Sequence, residues 1–61
     1  MNSLTPKEYQ VILLLGEGCL YKEIADQLGI KMDTVKKHAK NIYSKLQVRN
    51  RTEAVNKLVR A

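Results

Sequence analysis

The chain has 61 residues, one cysteine and one histidine, and its 11 lysines and arginines against 6 acids give a formal net charge of +5. A single domain is expected over 1–61, and so short a chain buries only about 60% of the surface its unfolded form exposes, which excludes a large catalytic cleft. The lone cysteine and histidine exclude an internal disulfide and a metal cluster, and no apolar run reaches the roughly 20 residues that span a bilayer; with no signal pattern at the start, a soluble protein of the reducing cytoplasm is expected.

The charge is unevenly spread. Met1–Ile30 carries two lysines and four acids, Lys31–Arg51 carries seven basic residues and Asp33 alone, and the last ten residues add one positive charge, so the three stretches stand at −2, +6 and +1. A folded basic surface facing a polyanion follows, with nucleic acid the first candidate and anionic membrane the second.

Leu4-Thr5-Pro6-Lys7-Glu8 predicts a helix start: Thr5 caps, Pro6 suits the first helical position and Glu8 completes a capping box, a device worth about 1 kcal/mol. Leu4 and Tyr9 are read as a hydrophobic staple. The helix runs over 6–16, apolar over most of its circumference, and Gly18 is best placed for a left-handed C-terminal residue. With no partner carboxylate near it in the pattern, Glu8 is read as a cap and not as a catalytic acid.

Tyr21–Leu28 predicts a short second helix with Ile24, Ala25 and Leu28 on its apolar side, the small Ala25 allowing close approach of a neighbour. After Gly29 and Ile30 a third helix runs over 32–46. At about 100° per residue Met32, Val35, Ala39, Ile42 and Leu46 form one apolar stripe, while Lys36, Lys37, Lys40, Asn41 and Ser44 lie opposite. Two helices joined by a short turn containing Gly make a helix-turn-helix, whose second helix lies in the major groove and reads bases. Lys36, Lys37 and Lys40 are therefore expected at base edges, where lysine donates to guanine O6 and N7. Lys22, Thr34, His38, Asn41, Tyr43, Ser44, Lys45, Arg49 and Arg51 are expected near the DNA backbone. Tyr43 is read as directing its hydroxyl to a phosphate, His38 as a packing or phosphate-contacting residue, Tyr9 and Tyr21 as half-buried packing residues, and Cys19 as incidental. Finally, Asn50 and Glu53 cap a fourth helix over 51–60 with Ala54, Val55, Leu58 and Val59 on one side. A helix this short needs a neighbour, either the core or a second copy of itself.

Leu4-Thr5 with Glu8, Gly18, Lys22-Glu23-Ile24-Ala25, Leu28, Ile30, Thr34-Val35-Lys36, His38, Asn41-Ile42-Tyr43, Lys45-Leu46, Val48, Asn50-Arg51-Thr52 and Ala54-Val55 together resemble the LuxR/NarL/FixJ-type DNA-binding domain, over nearly the whole chain. The resemblance implies an all-α four-helix domain of the winged-helix-like superfamily without the wing. Such domains belong to bacterial transcription factors, commonly the output half of a two-component response regulator or of a quorum-sensing receptor. It also implies homodimers on inverted-repeat DNA, with dimer contact at Val55, Leu58 and Val59 and base contact at Lys36, Lys37 and Lys40. The family usually has Ser or Thr at Leu20, Asn at Tyr21, Ser at Lys31 and Gly at Gln47. Leu20 and Lys31 remove side-chain caps, so frayed or shifted starts of the second and third helices are expected, with Asp33 compensating by its charge at the recognition helix.

Three other readings remain at this point. A sigma-factor promoter-reading domain carries a similar helix-turn-helix, although the Val48–Val55 segment argues for the LuxR type. A basic protein-interaction module is the second. An enzyme is the third and weakest, because no nucleophile with a base, carboxylate dyad or phosphate-cradling loop is present. The expectation is a sequence-specific, double-stranded DNA-binding regulator of transcription in the cytoplasm, associated with the nucleoid. No cofactor, metal, membrane or small-molecule ligand is expected within this chain. The family often continues a few residues beyond the position of Ala61, so an excised effector domain, monomeric in free solution and dimeric on DNA, is expected over a stand-alone regulator.

Overall fold

The computed structural model describes residues 4–60, the side chains of 59 and 60 excepted. Four helices follow one another: α1 (Pro6–Gly16), α2 (Tyr21–Leu28), α3 (Met32–Leu46) and α4 (Arg51–Arg60). The capping box of α1 forms as its residue types predict, the Glu8 backbone N–H donating to Thr5 Oγ1 at 3.1 Å and the Thr5 N–H to Glu8 Oε1 at 2.9 Å. At α4 the Glu53 N–H donates to Asn50 Oδ1 at 2.9 Å, while the Glu53 carboxylate accepts from the Arg49 N–H at 2.8 Å.

The starts of α2 and α3 are not shifted. Leu20 has no side-chain acceptor, yet its backbone N–H donates to Glu23 Oε1 at 2.7 Å, so the N3 glutamate supplies half of a capping box without its usual partner. At α3 the Lys31 side chain makes no cap; its carbonyl accepts from Thr34 and Val35, and Asp33 stands in the first turn.

The ends of α1, α2 and α3 close in one way. An amide two or three positions beyond each helix turns back five residues: Cys19 to the Leu14 carbonyl, Ile30 to Ala25 and Val48 to Tyr43, at 3.1, 3.0 and 2.9 Å. Each closure passes through a residue of positive φ, namely Gly18, Gly29 and Gln47. The residue after each, Cys19, Ile30 or Val48, packs on the core, as this C-terminal motif favours. Cys19 is therefore a packing residue and not incidental. Gln47 adopts φ 57° without the freedom of glycine, a conformation that costs an L-residue about 1 kcal/mol or more.

Val11, Ile12 and Leu15 of α1, Ile24 and Ala25 of α2, Val35, Ala39 and Ile42 of α3 and Ala54 of α4 form the buried interior. Full burial of a large aliphatic side chain such as Ile42 stabilises by about 1.5–3 kcal/mol. α3 packs against each of the other three helices, which fixes the orientation of its outer face. Two apolar expectations are corrected. Met32 is 44% exposed, because at the first position of α3 no neighbouring helix covers it, and Tyr9 is 48% exposed and stands outside the core cluster on which Leu4 packs.

Candidate nucleic-acid interface

The buried stripe of α3 turns its opposite side to solvent. Lys36, Lys37, Lys40, Asn41 and Ser44 are exposed, and none engages a hydrogen bond or ion pair with its side chain among the described residues. Three cations within two turns, with Asp33 one turn before Lys36 and Lys37 but forming no ion pair with them among the described residues, create a net positive potential along one side of the helix. Lys22 and Arg49 are exposed, and Thr34 and His38 are half-buried at the margins of the stripe.

Lys31 is exposed as well, whereas Lys45 and Arg51 of this half meet the protein itself. Lys45 Nζ lies 2.7 Å from Glu8 Oε1, and its side chain retains 32% exposure while that of Glu8 retains 4%. Burial pushes the Glu8 carboxyl up, but hydrogen bonds from Lys45 and from the Thr5 backbone, with the lysine charge and the Thr5 hydroxyl, outweigh it and hold the group below its ordinary value. Glu8 is thus both the cap expected from sequence and the anchor of Lys45. No local signal reveals the second role, since the partners stand 37 positions apart.

Arg51 was expected at a phosphate, and the structure turns it inward. Its Nε and Nη2 donate to the Leu15 carbonyl at 3.1 and 2.8 Å, and Nη2 donates to the Cys19 carbonyl at 2.8 Å. A guanidinium suits this because its planar fork reaches two acceptors at once, here at the C-terminal end of α1, where carbonyls lack helical partners. Lys57 Nζ treats α3 alike, donating to the Leu46 carbonyl at 2.7 Å.

Tyr43 and Tyr21 meet across the α2–α3 junction, their hydroxyl oxygens 3.5 Å apart and both side chains half-buried. Burial and the neighbouring Tyr21 hydroxyl push the Tyr43 phenol up to about 12, against the opposing charge of Arg51. It remains a protonated donor throughout the physiological range. On α4, Val55 and Leu58 are half-buried and pack in part on the chain's own core, while the side chain of Val59 lies outside the described residues. Among the described residues no group of three His, Cys, Asp or Glu could hold a metal ion, and no helix is long and apolar enough to cross a membrane.

Residues 2–58 match the family described as bacterial regulatory proteins of the luxR family. The chain belongs to the luxR family. Its fold is that family's helix-turn-helix domain, a DNA-binding, non-enzymatic unit of transcription regulators. Similar members include the transcriptional regulatory protein LiaR of Bacillus subtilis, 48% identical over 53 residues that cover 87% of this chain and 25% of the relative. The monoamine regulon transcriptional regulator of Klebsiella aerogenes is 46% identical over 54 residues, 88% of this chain and 24% of the relative. The response regulator protein VraR of Staphylococcus aureus is 46% identical over 52 residues, 85% of this chain and 25% of the relative. The chain spans about a quarter of the length of these curated luxR-family relatives.

Proposed function

We propose that this domain reads a specific duplex sequence to regulate transcription, with α3 in the major groove and Lys36, Lys37 and Lys40 at base edges. The observation that carries this reading is the contrast across α3, whose apolar side is buried against three helices while its three outward lysines have no partner among the described residues. Lys22, Thr34, His38, Asn41, Ser44 and Arg49 then flank the groove at phosphates, which position the helix without carrying sequence information. Two copies bind an inverted repeat through α4, with Val55, Leu58 and Val59 at the contact, and the role places the protein with the chromosome in the bacterial cytoplasm.

Selection of bound duplexes from a random pool at near-physiological salt tests the reading. An enriched inverted repeat with half-site centres roughly one helical turn apart supports it. Binding that persists at low salt with no enriched sequence overturns specificity and leaves a phosphate-binding surface. For the dimer, Leu58→Asp is expected to lower cooperative half-site occupancy. Because Leu58 also packs on the core, a melt of the same variant is required, and loss of fold would assign Leu58 to the interior.

A further inference from the structure

We propose that the hydroxyls of Tyr21 and Tyr43 form a two-donor clamp for one DNA phosphate oxygen, at the edge of the α3 reading face. The inference rests on the duplex-binding reading above and adds to it a neutral contact made jointly by α2 and α3.

Hydrogen-bond arithmetic motivates it. Each tyrosine hydroxyl is one donor and also an acceptor, so in a pair only one O–H can point at its neighbour and the other is left over. Neither hydroxyl has another partner among the described residues. At 3.5 Å the contact is also well beyond the usual 2.7–2.8 Å of an O–H···O bond, so the pair is open. A third oxygen lying outside the pair can sit at good hydrogen-bond distance from both phenols, and an acceptor with no proton of its own satisfies both donors. A phosphate oxygen is such an acceptor, and it is the anion that a lysine-lined helix brings close.

Position supports the same conclusion. At about 100° per residue Tyr43 falls about 20° from Lys36 and about 60° from Lys40 around α3, on the shoulder between the lysines and the buried stripe. Tyr21 is the first residue of α2, so its hydroxyl reaches this shoulder from the helix that crosses the backbone in a helix-turn-helix. The guanidinium of Arg51, fixed by the Leu15 and Cys19 carbonyls, acts on Tyr43 by its charge and adds to the positive field there.

A neutral clamp leaves a signature that a lysine does not. Charged contacts release counterions and steepen the salt dependence of binding, whereas phenols release none. The test is duplex binding by wild type, Tyr21→Phe, Tyr43→Phe and the double variant across a salt series, with a urea melt of each. The double variant is expected to bind about tenfold more weakly, equally on selected and random duplex, with the salt slope and melting midpoint unchanged. A methylphosphonate scan of the duplex provides the independent arm: one position should weaken the wild type and leave the double variant indifferent. Unchanged affinity overturns the clamp, as does a loss confined to the selected sequence or one that follows a lowered midpoint. If the wild type binds no duplex at all, the DNA-reading function itself fails and the clamp falls with it.

Discussion

Lys36, Lys37 and Lys40 share their chemistry with Lys45, Arg51 and Lys57 but differ in what they face. The first three project from α3 without partners among the described residues, whereas the second three tie the fold together: Lys45 to the buried Glu8, Arg51 to two carbonyls at the end of α1, and Lys57 to the last carbonyl of α3. The comparison teaches that a basic stretch is not one feature. Its charge attracts a polyanion as a whole, yet only part of it is available for contact, and the remainder sets the shape that presents that part.

The sharpest way to break this division is Arg51→Ala. It removes three charge-assisted hydrogen bonds at once and should lower unfolding free energy by about 3 kcal/mol in a urea titration. A full-strength fold with weakened DNA binding would move Arg51 into the outward set. Lys40→Ala should do the reverse, weakening binding to the selected duplex by about 2 kcal/mol while random duplex suffers less and the melt is unchanged. Equal losses on both duplexes would assign Lys40 to a phosphate.

Glu8→Gln comes next, with an expected loss of about 1.5 kcal/mol near neutral pH. The sign of its pH dependence follows from the lowered carboxyl. In the folded state Glu8 releases its proton at a lower pH than in the unfolded chain, so its contribution is complete above the unfolded value. That contribution fades as pH falls through the folded one. Stability of the wild type should therefore decline more steeply than that of Glu8→Gln on acidification below the ordinary glutamate range, and parallel curves would contradict the Lys45 pairing. Smallest is Gln47→Gly, expected to gain about 1 kcal/mol by relieving the left-handed residue at the end of α3. It touches neither set of cations, so its DNA affinity should hold, and a change there would mean that the closure of α3 also shapes the reading face.

The four-helix class was legible because it rests on local spacing. The three-residue step from Thr5 to Glu8 encodes a cap, and the interval of three and four from Val35 to Ala39 and Ile42 encodes a buried side. The exposure of Lys36, Lys37 and Lys40 followed from that same periodicity. What escaped was non-local. Arg51 was read outward because its acceptors are backbone carbonyls 36 and 32 positions away, and a carbonyl has no residue identity to read. Met32 fits the stripe by angle but lies at the first turn, where angle alone does not say whether a neighbour extends that far. Leu20 suggested a shifted start because side-chain capping was counted from one end only; Glu23 closes the turn from the other.

The tie from Arg51 has a consequence for synthesis. A nascent chain emerges from its N-terminus at about 5–20 residues per second. When the first 50 residues are out, every helix of the helix-turn-helix is present, but the donor that closes the α1 terminus and holds the Cys19 carbonyl is not. The end of α1 therefore gains this brace only with the first residue of α4, and Lys57 ties the end of α3 later still, so completion of the helix-turn-helix waits on the segment that follows it.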